Sequence, residues 1–163
     1  MKRSSSAAGL VLAVVTVLGL AGPAAAGDQV PFKGSLEGDI THTPVDAQTD
    51  FVLVEATGTA TQLGQFGVTV PHFVDTPTRT AAGDYEFTAA NGDTLTAQFT
   101  GQASPTATPG VISIVETATI TGGTGRFAGA TGSFIAERLY DRVAGTTIGS
   151  FEGTLSSPGA SDR

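Results

Sequence analysis

The segment Gly122-Gly123-Thr124-Gly125-Arg126-Phe127-Ala128-Gly129-Ala130-Thr131-Gly132 constrains the fold of this chain more than any other. It lies between two runs that read as β-strands, Val111–Thr121 and Ser133–Asp141. It holds five glycines in eleven residues. Glycine reaches positive φ at no steric cost, so this density marks a shaped connection between paired strands. After residue 26 helical patterning is nearly absent: Thr, Val, Gly and Ala dominate, and apolar residues recur with period two.

Residues 1–26 have the layout of a secretory signal peptide and are set apart from the fold. Lys2 and Arg3 form a basic start, Ala7–Gly22 is apolar, Pro23 breaks that run, and Ala24-Ala25-Ala26 supplies small residues for cleavage. The expectation is a secreted, extracellular protein whose mature part begins at Gly27. The chain has no cysteine, which excludes both a lipoprotein anchor and a disulfide framework. Its formal charge is −7, and losing Lys2 and Arg3 with the leader takes the remainder to −9. Such acidity argues against nucleic acid or an anionic membrane as partner, since both require a basic surface. The residual 137 of the 163 residues make one domain, large enough to bury a core without cross-links.

In the first run of that domain, Phe32, Leu36 and Ile40 share one face, and Lys33, Glu37 and Asp39 the other, as in a half-buried strand. Phe32–Ile40 is followed by candidate strands Phe51–Gln62, Gln65–Phe73, Gly83–Ala90, Asp93–Gly101, Val111–Thr121, Ser133–Asp141 and Thr146–Ser156. Asn91-Gly92 predicts a type I′ hairpin turn. Thr43–Asp50, Asp75–Gly83 and Ala103–Gly110 contain prolines and read as loops. The fold class predicted is all-β: a single eight-stranded antiparallel β-barrel over residues 27–157, with a disordered tail over 158–163. Closing the sheet removes its edges. A β-sandwich of the same strands is the alternative. Glycines within the strands, such as Gly34, Gly58 and Gly149, favour the barrel, because strongly coiled strands bend at such positions.

The glycine-rich segment closely resembles the GGTGxFxxAxG loop of the dirigent and allene oxide cyclase barrel superfamily, matching at Gly122, Gly123, Thr124, Gly125, Phe127, Ala130 and Gly132. Ala90-Asn91-Gly92-Asp93 and Gly149–Leu155 are similar to the pieces that flank this loop in secreted bacterial members. The resemblance implies an eight-stranded barrel whose lumen can hold a hydrophobic small molecule. Allene oxide cyclases close a fatty-acid-derived epoxide there, and dirigent proteins orient coupling phenoxy radicals. It also permits a homo-oligomer, since such barrels commonly form trimers. Neither activity transfers residue by residue, because sharing a fold does not confer its chemistry.

Candidate chemistry centres on Glu116. Ile112, Ile114, Glu116, Ala118 and Ile120 share a face, which places a carboxylate among apolar neighbours expected to point into the barrel. A hairpin symmetric about residues 126–128 pairs Ile120 with Phe134, Ala118 with Ala136, Glu116 with Arg138 and Ile114 with Tyr140. Glu116 and Arg138 are therefore candidate catalytic residues, and with Tyr140 and Phe134 they form the candidate ligand-binding set. The competing reading of the pair is a structural plug that fixes strand register. His42 and His72 lack metal-ligand spacing and are expected to be exposed in or beside loops, so neither a metal nor an organic cofactor is expected. The glycine loop leads to a strand and not a helix, which argues against phosphate binding and leaves Arg126 as a solvated tip. The function these readings predict is binding of a small apolar or aromatic molecule in the lumen. The alternatives are an isomerase or cyclase using the same cavity, and a filled barrel serving as an extracellular interaction module.

Overall fold

Alternating residues carry the architecture. In the computed structural model of the chain, which describes residues 28–156, every run of period-two alternation is a strand with one buried face. The leader expected over 1–26 and the tail expected over 158–163 lie outside the described residues. The strands are β1 (Gln29–Pro44), β2 (Thr49–Ala60), β3 (Gly64–Asp75), β4 (Thr80–Ala89), β5 (Thr94–Pro105), β6 (Val111–Gly123), β7 (Gly132–Asp141) and β8 (Thr146–Ser156). Each pairs antiparallel with the next, and β8 returns to β1 from Gln29↔Ser156 to Asp39↔Thr146, closing the barrel. The sandwich alternative is thereby excluded.

Several strands outrun their expected ends. β1 reaches Pro44 and β5 reaches Pro105, because at a barrel's rim a proline without an amide costs no ladder bond that water cannot replace. Pro71 lies inside β3, where the ladder to β4 skips Val70 and Pro71 and resumes at His72↔Gly83. The Asn91-Gly92 connection is not type I′. Gly92 alone has positive φ (88°), its amide donates to the Ala89 carbonyl (2.9 Å), and the Ala89 amide donates to the Asp93 carbonyl (2.9 Å). That is a three-residue loop ending in a left-handed glycine, the other common hairpin solution.

The inward faces divide the barrel into two halves. One half is filled by Phe32, Phe66, Phe87, Phe134 and Phe151, whose rings meet edge-on or tilted at centroid distances of 4.9–6.0 Å. Packing five rings across so narrow a lumen needs small residues opposite them. Gly58 faces Phe66, Gly34 faces Phe151 and Gly153 faces Phe134 in the strand registers. A Cβ on Gly58 would lie 2.8 Å from the Phe66 ring, and one on Gly34 2.5 Å from the Phe151 ring.

The glycine-rich segment closes the filled end. After Gly123 it forms a single 3₁₀ turn, Gly125–Phe127, which drives the fully buried Phe127 into the barrel mouth beside Leu63 and Ala130. Thr124 knits the segment to β5: its amide donates to the Thr94 carbonyl (2.9 Å), and its hydroxyl accepts from the Thr94 amide (3.0 Å). Arg126 is not a free tip. Its side chain lies 3.7 Å from the Asp93 carboxylate, reaches the Leu63 carbonyl (3.4 Å) and packs 4.9 Å over the Phe127 ring. The hairpin fold-back was expected, whereas the plug was not.

Candidate functional site

Midway along the barrel the phenylalanines give way to a polar layer. β6 supplies Glu116, β7 supplies Arg138 and β4 supplies Tyr85, each from its inward face. The register differs by two residues from the expected one: Glu116 lies opposite Ala136, and Arg138 opposite Ile114. The cause is the connection, whose 3₁₀ turn moves the hairpin's centre toward the N-terminus by one residue. A shift of two preserves the face, so the carboxylate and guanidinium still meet, now diagonally.

Room for both comes again from glycine. Gly101 is the β5 partner of Glu116, and Gly149 the β8 partner of Arg138. A Cβ on Gly101 would lie 2.8 Å from the Glu116 Cγ, and one on Gly149 2.6 Å from the Arg138 Cγ.

The pairing is bidentate. Arg138 Nη2 donates to Glu116 Oε1 (2.5 Å) and Nε to Oε2 (3.0 Å), with both residues nearly sealed from solvent at 1% and 3% exposure. The Tyr85 hydroxyl donates to the same Oε2. Nη1 of Arg138 makes a longer contact to the Thr147 hydroxyl (3.5 Å), which itself donates to the Leu139 carbonyl (3.0 Å). Burial, and then the Glu116 carboxylate, push the Tyr85 phenol well above its ordinary range, so it remains a donor. Burial alone would lower the Arg138 guanidinium, but Glu116 outweighs it and the net direction is upward. Both oxygens of Glu116 are therefore engaged, and the layer is a closed floor.

Above that floor the barrel is open. A cup of about 510 Å³ is lined by Val52, Val74, Ile112 and Ile114 on its walls, with Arg138 and His72 toward its base and His42, Tyr140, Arg79 and Arg142 at its mouth. Other depressions, such as the one bordered by Phe73, Ala82, Thr100 and Val115, lie on the outer wall.

His72 is not an exposed loop residue; it is 6% exposed on the inward face of β3, stacked edge-on to Phe99. Gly83 lies opposite it on β4, where an added Cβ would collide with the His72 Cβ and the Pro71 carbonyl. Its Nδ1 lies 2.9 Å from the Val70 carbonyl, which can only accept, so the proton sits on Nδ1. Burial holds its pKa below the usual value, leaving a neutral ring with a lone pair on Nε2.

His42 remains exposed, but on β1 and not in a loop. It stacks on Tyr140 (centroids 5.5 Å) and its Nδ1 lies 3.5 Å from the Asp50 carboxylate. Among the described residues no group of three or more His, Asp or Glu side chains converges on a metal position.

Of the residues singled out in the sequence, Glu116 and Arg138 meet. Tyr140 stands at the cup's mouth opposite Ile112, and Phe134 belongs to the packed half below the floor, where it touches Tyr85 and Phe32. Tyr85 was missed, and His72 was expected to be exposed where the barrel buries it. Tyr85 alternates with Phe87 and Ala89, and His72 with Phe66, Val68 and Val70, so period two marked both as inward. Pro71 obscured the second.

No protein-family model matches the chain, and no curated protein matches its sequence. Solved structures do resemble it. The pterocarpan synthase dirigent protein GePTS1 aligns with a TM-score of 0.53 at 14% identity, covering 81% of this chain and 87% of that one. The pterocarpan synthase dirigent protein PsPTS1 aligns at 0.55 and 10% identity, covering 80% and 96%. At these identities the likeness is one of fold: the chain has the closed barrel of dirigent proteins, as its glycine loop implied.

Proposed function

We propose that this chain is an exported barrel that binds a small apolar or aromatic molecule in the cup between the Glu116–Arg138 floor and the open mouth. The observation that carries this reading is the cup itself, about 510 Å³ walled by valine and isoleucine in a barrel whose other half is packed solid. That volume lies within the range of small-molecule sites, which are mostly apolar with a few placed polar groups. His72 Nε2 supplies one such group, an acceptor for a ligand hydroxyl or amide. Solved dirigent proteins with the same fold bear the name pterocarpan synthase, which supports a small-molecule role for the lumen. Export is supported by the layout of residues 1–26.

Binding without turnover is favoured over an isomerase or cyclase because Glu116, the residue best suited to acid–base work by type, has both oxygens occupied within the floor by Arg138 and Tyr85. The test is titration with the neutral probe N-phenyl-naphthylamine, comparing wild type with Ile114→Trp, which fills the cup. The expected result is saturable binding weakened about tenfold or more in the variant, a loss of about 1.4 kcal/mol. Equal affinity in the two proteins, or no binding to wild type, would refute the cup as a binding site.

A further inference from the structure

Positive charge in this acidic protein is concentrated at one place. The described residues include five Lys and Arg side chains: Lys33, Arg79, Arg126, Arg138 and Arg142. Three of these, with both histidines, line the cup. Of the acidic residues, Asp50 alone is in its lining, facing His42.

The pairing pattern sharpens the contrast. Lys33 is held by Glu152 (2.6 Å), Arg126 by Asp93 (3.7 Å) and Arg138 by Glu116 (2.5 Å). Among the described residues, Arg79 and Arg142 alone of the five have no carboxylate within 4 Å. Carboxylates are present at that end of the barrel, but they are committed to turns. Asp75 accepts from the amide (2.8 Å) and hydroxyl (2.6 Å) of Thr78, and Asp141 from the amides of Val143 (2.8 Å) and Ala144 (3.1 Å).

Arg79 is also held in an unfavourable backbone conformation. Its φ is +60°, a region that glycine or asparagine occupies more cheaply. The position is clamped: its amide donates to the Asp75 carbonyl (2.7 Å), and its carbonyl accepts from the Ala103 amide (2.9 Å) and the Gln102 side chain (3.2 Å). An arginine kept where glycine would be easier, at the mouth of a cavity, points to a role for its side chain.

From this placement we infer that the cup's ligand is an organic acid: an apolar body that enters between the Val and Ile walls, and a carboxylate that remains at the mouth between Arg79 and Arg142. Guanidinium matches a carboxylate in a planar, two-bonded contact, and the ligand's charge supplies the counter-ion that the fold withholds from these two arginines. The inference rests on the cup being the binding site and adds the ligand's charge.

Calorimetric titration at low salt with matched acid and amide pairs tests it: cinnamate with cinnamamide, naphthoate with naphthamide, octanoate with octanamide. Each amide keeps the shape and removes the charge. At least one acid is expected to bind about fivefold or more tightly than its amide, a preference lost in Arg79→Gln/Arg142→Gln and weakened by salt. Both arginines are exposed, so the double variant should fold, and circular dichroism checks that it does. Acid and amide binding alike, or a preference that survives in the folded double variant, would overturn the inference. If Ile114→Trp then abolishes both, the cup stands and only the charge assignment fails. If no member of any pair binds wild type, the cup reading fails and takes this inference with it.

Discussion

Arg138 and Glu116 show how a charged pair is made tolerable inside a barrel. Two charges taken out of water cost several kcal/mol each, and their attraction repays this only when the remaining donors and acceptors are also met. Here the guanidinium fork matches the carboxylate, Tyr85 takes up a further lone pair, and Thr147 lies near the outer edge of Arg138. Removing one partner therefore hurts more than removing both. Arg138→Leu is expected to lower unfolding free energy by about 3–5 kcal/mol, because it strands the Glu116 carboxylate. The double variant Glu116→Leu/Arg138→Leu should recover most of that loss. Urea denaturation of the three proteins measures it, and a double variant as unstable as the single one would show that shape and not charge sets the cost.

The connection between β6 and β7 does more than reverse the chain. The β5–β6 ladder shifts by one residue after Thr96↔Gly122, where Thr121 is the extra residue, and the bulge lets Gly122 adopt φ 141°. Gly125 then takes φ 55° with its Cα pressed against Asp93, so that a Cβ would lie 1.9 Å from a carboxylate oxygen. Asp93 in turn holds Arg126, and Arg126 covers Phe127. Gly125→Ala is thus expected to cost about 1–3 kcal/mol through strain and displacement of Asp93. Gly67→Ala is the control: no atom lies within 4 Å of its added Cβ, and its φ is not positive. It should change stability by less than about 0.5 kcal/mol. Thermal melts of the pair separate a demanding glycine from a permissive one, and equal melting temperatures would remove the plug from the account.

Taken as a whole, the barrel is a vessel with a stopper, a solid base and an open cup, and its stability is coupled to pH through a residue that lines the cup. Burial lowers the His72 pKa below the ordinary 6.5, against smaller opposing effects of the Val70 carbonyl and Glu116, with Arg138 and His42 adding to the lowering. The unfolded chain takes up a proton at this residue as pH falls through 6.5, whereas the native barrel resists until the lower folded value is reached. The contribution to stability is therefore intact above pH 6.5, shrinks as pH falls from there toward the folded value, and is constant below the folded value. Unfolding free energy measured from about pH 7 to about pH 5 should fall more steeply for wild type than for His72→Gln. Parallel slopes would mean that the imidazole titrates freely and is not held neutral.

Alternation along each run was enough to determine the strands and which side of each faces inward. A residue's face depends only on its parity along an extended chain. The same local information placed Glu116 and Arg138 on one wall, and the glycine loop pointed to the closed dirigent-type barrel. Register lay beyond it, since that depends on how many residues a connection consumes. The 3₁₀ turn at Gly125–Phe127, a plug and not a tip, moved every β6–β7 pair by two. Tyr85 joined Glu116 from two strands away, a contact made by curvature alone. The boundary between a filled and an empty lumen was likewise set by closure, because whether space remains depends on all eight inward faces at once.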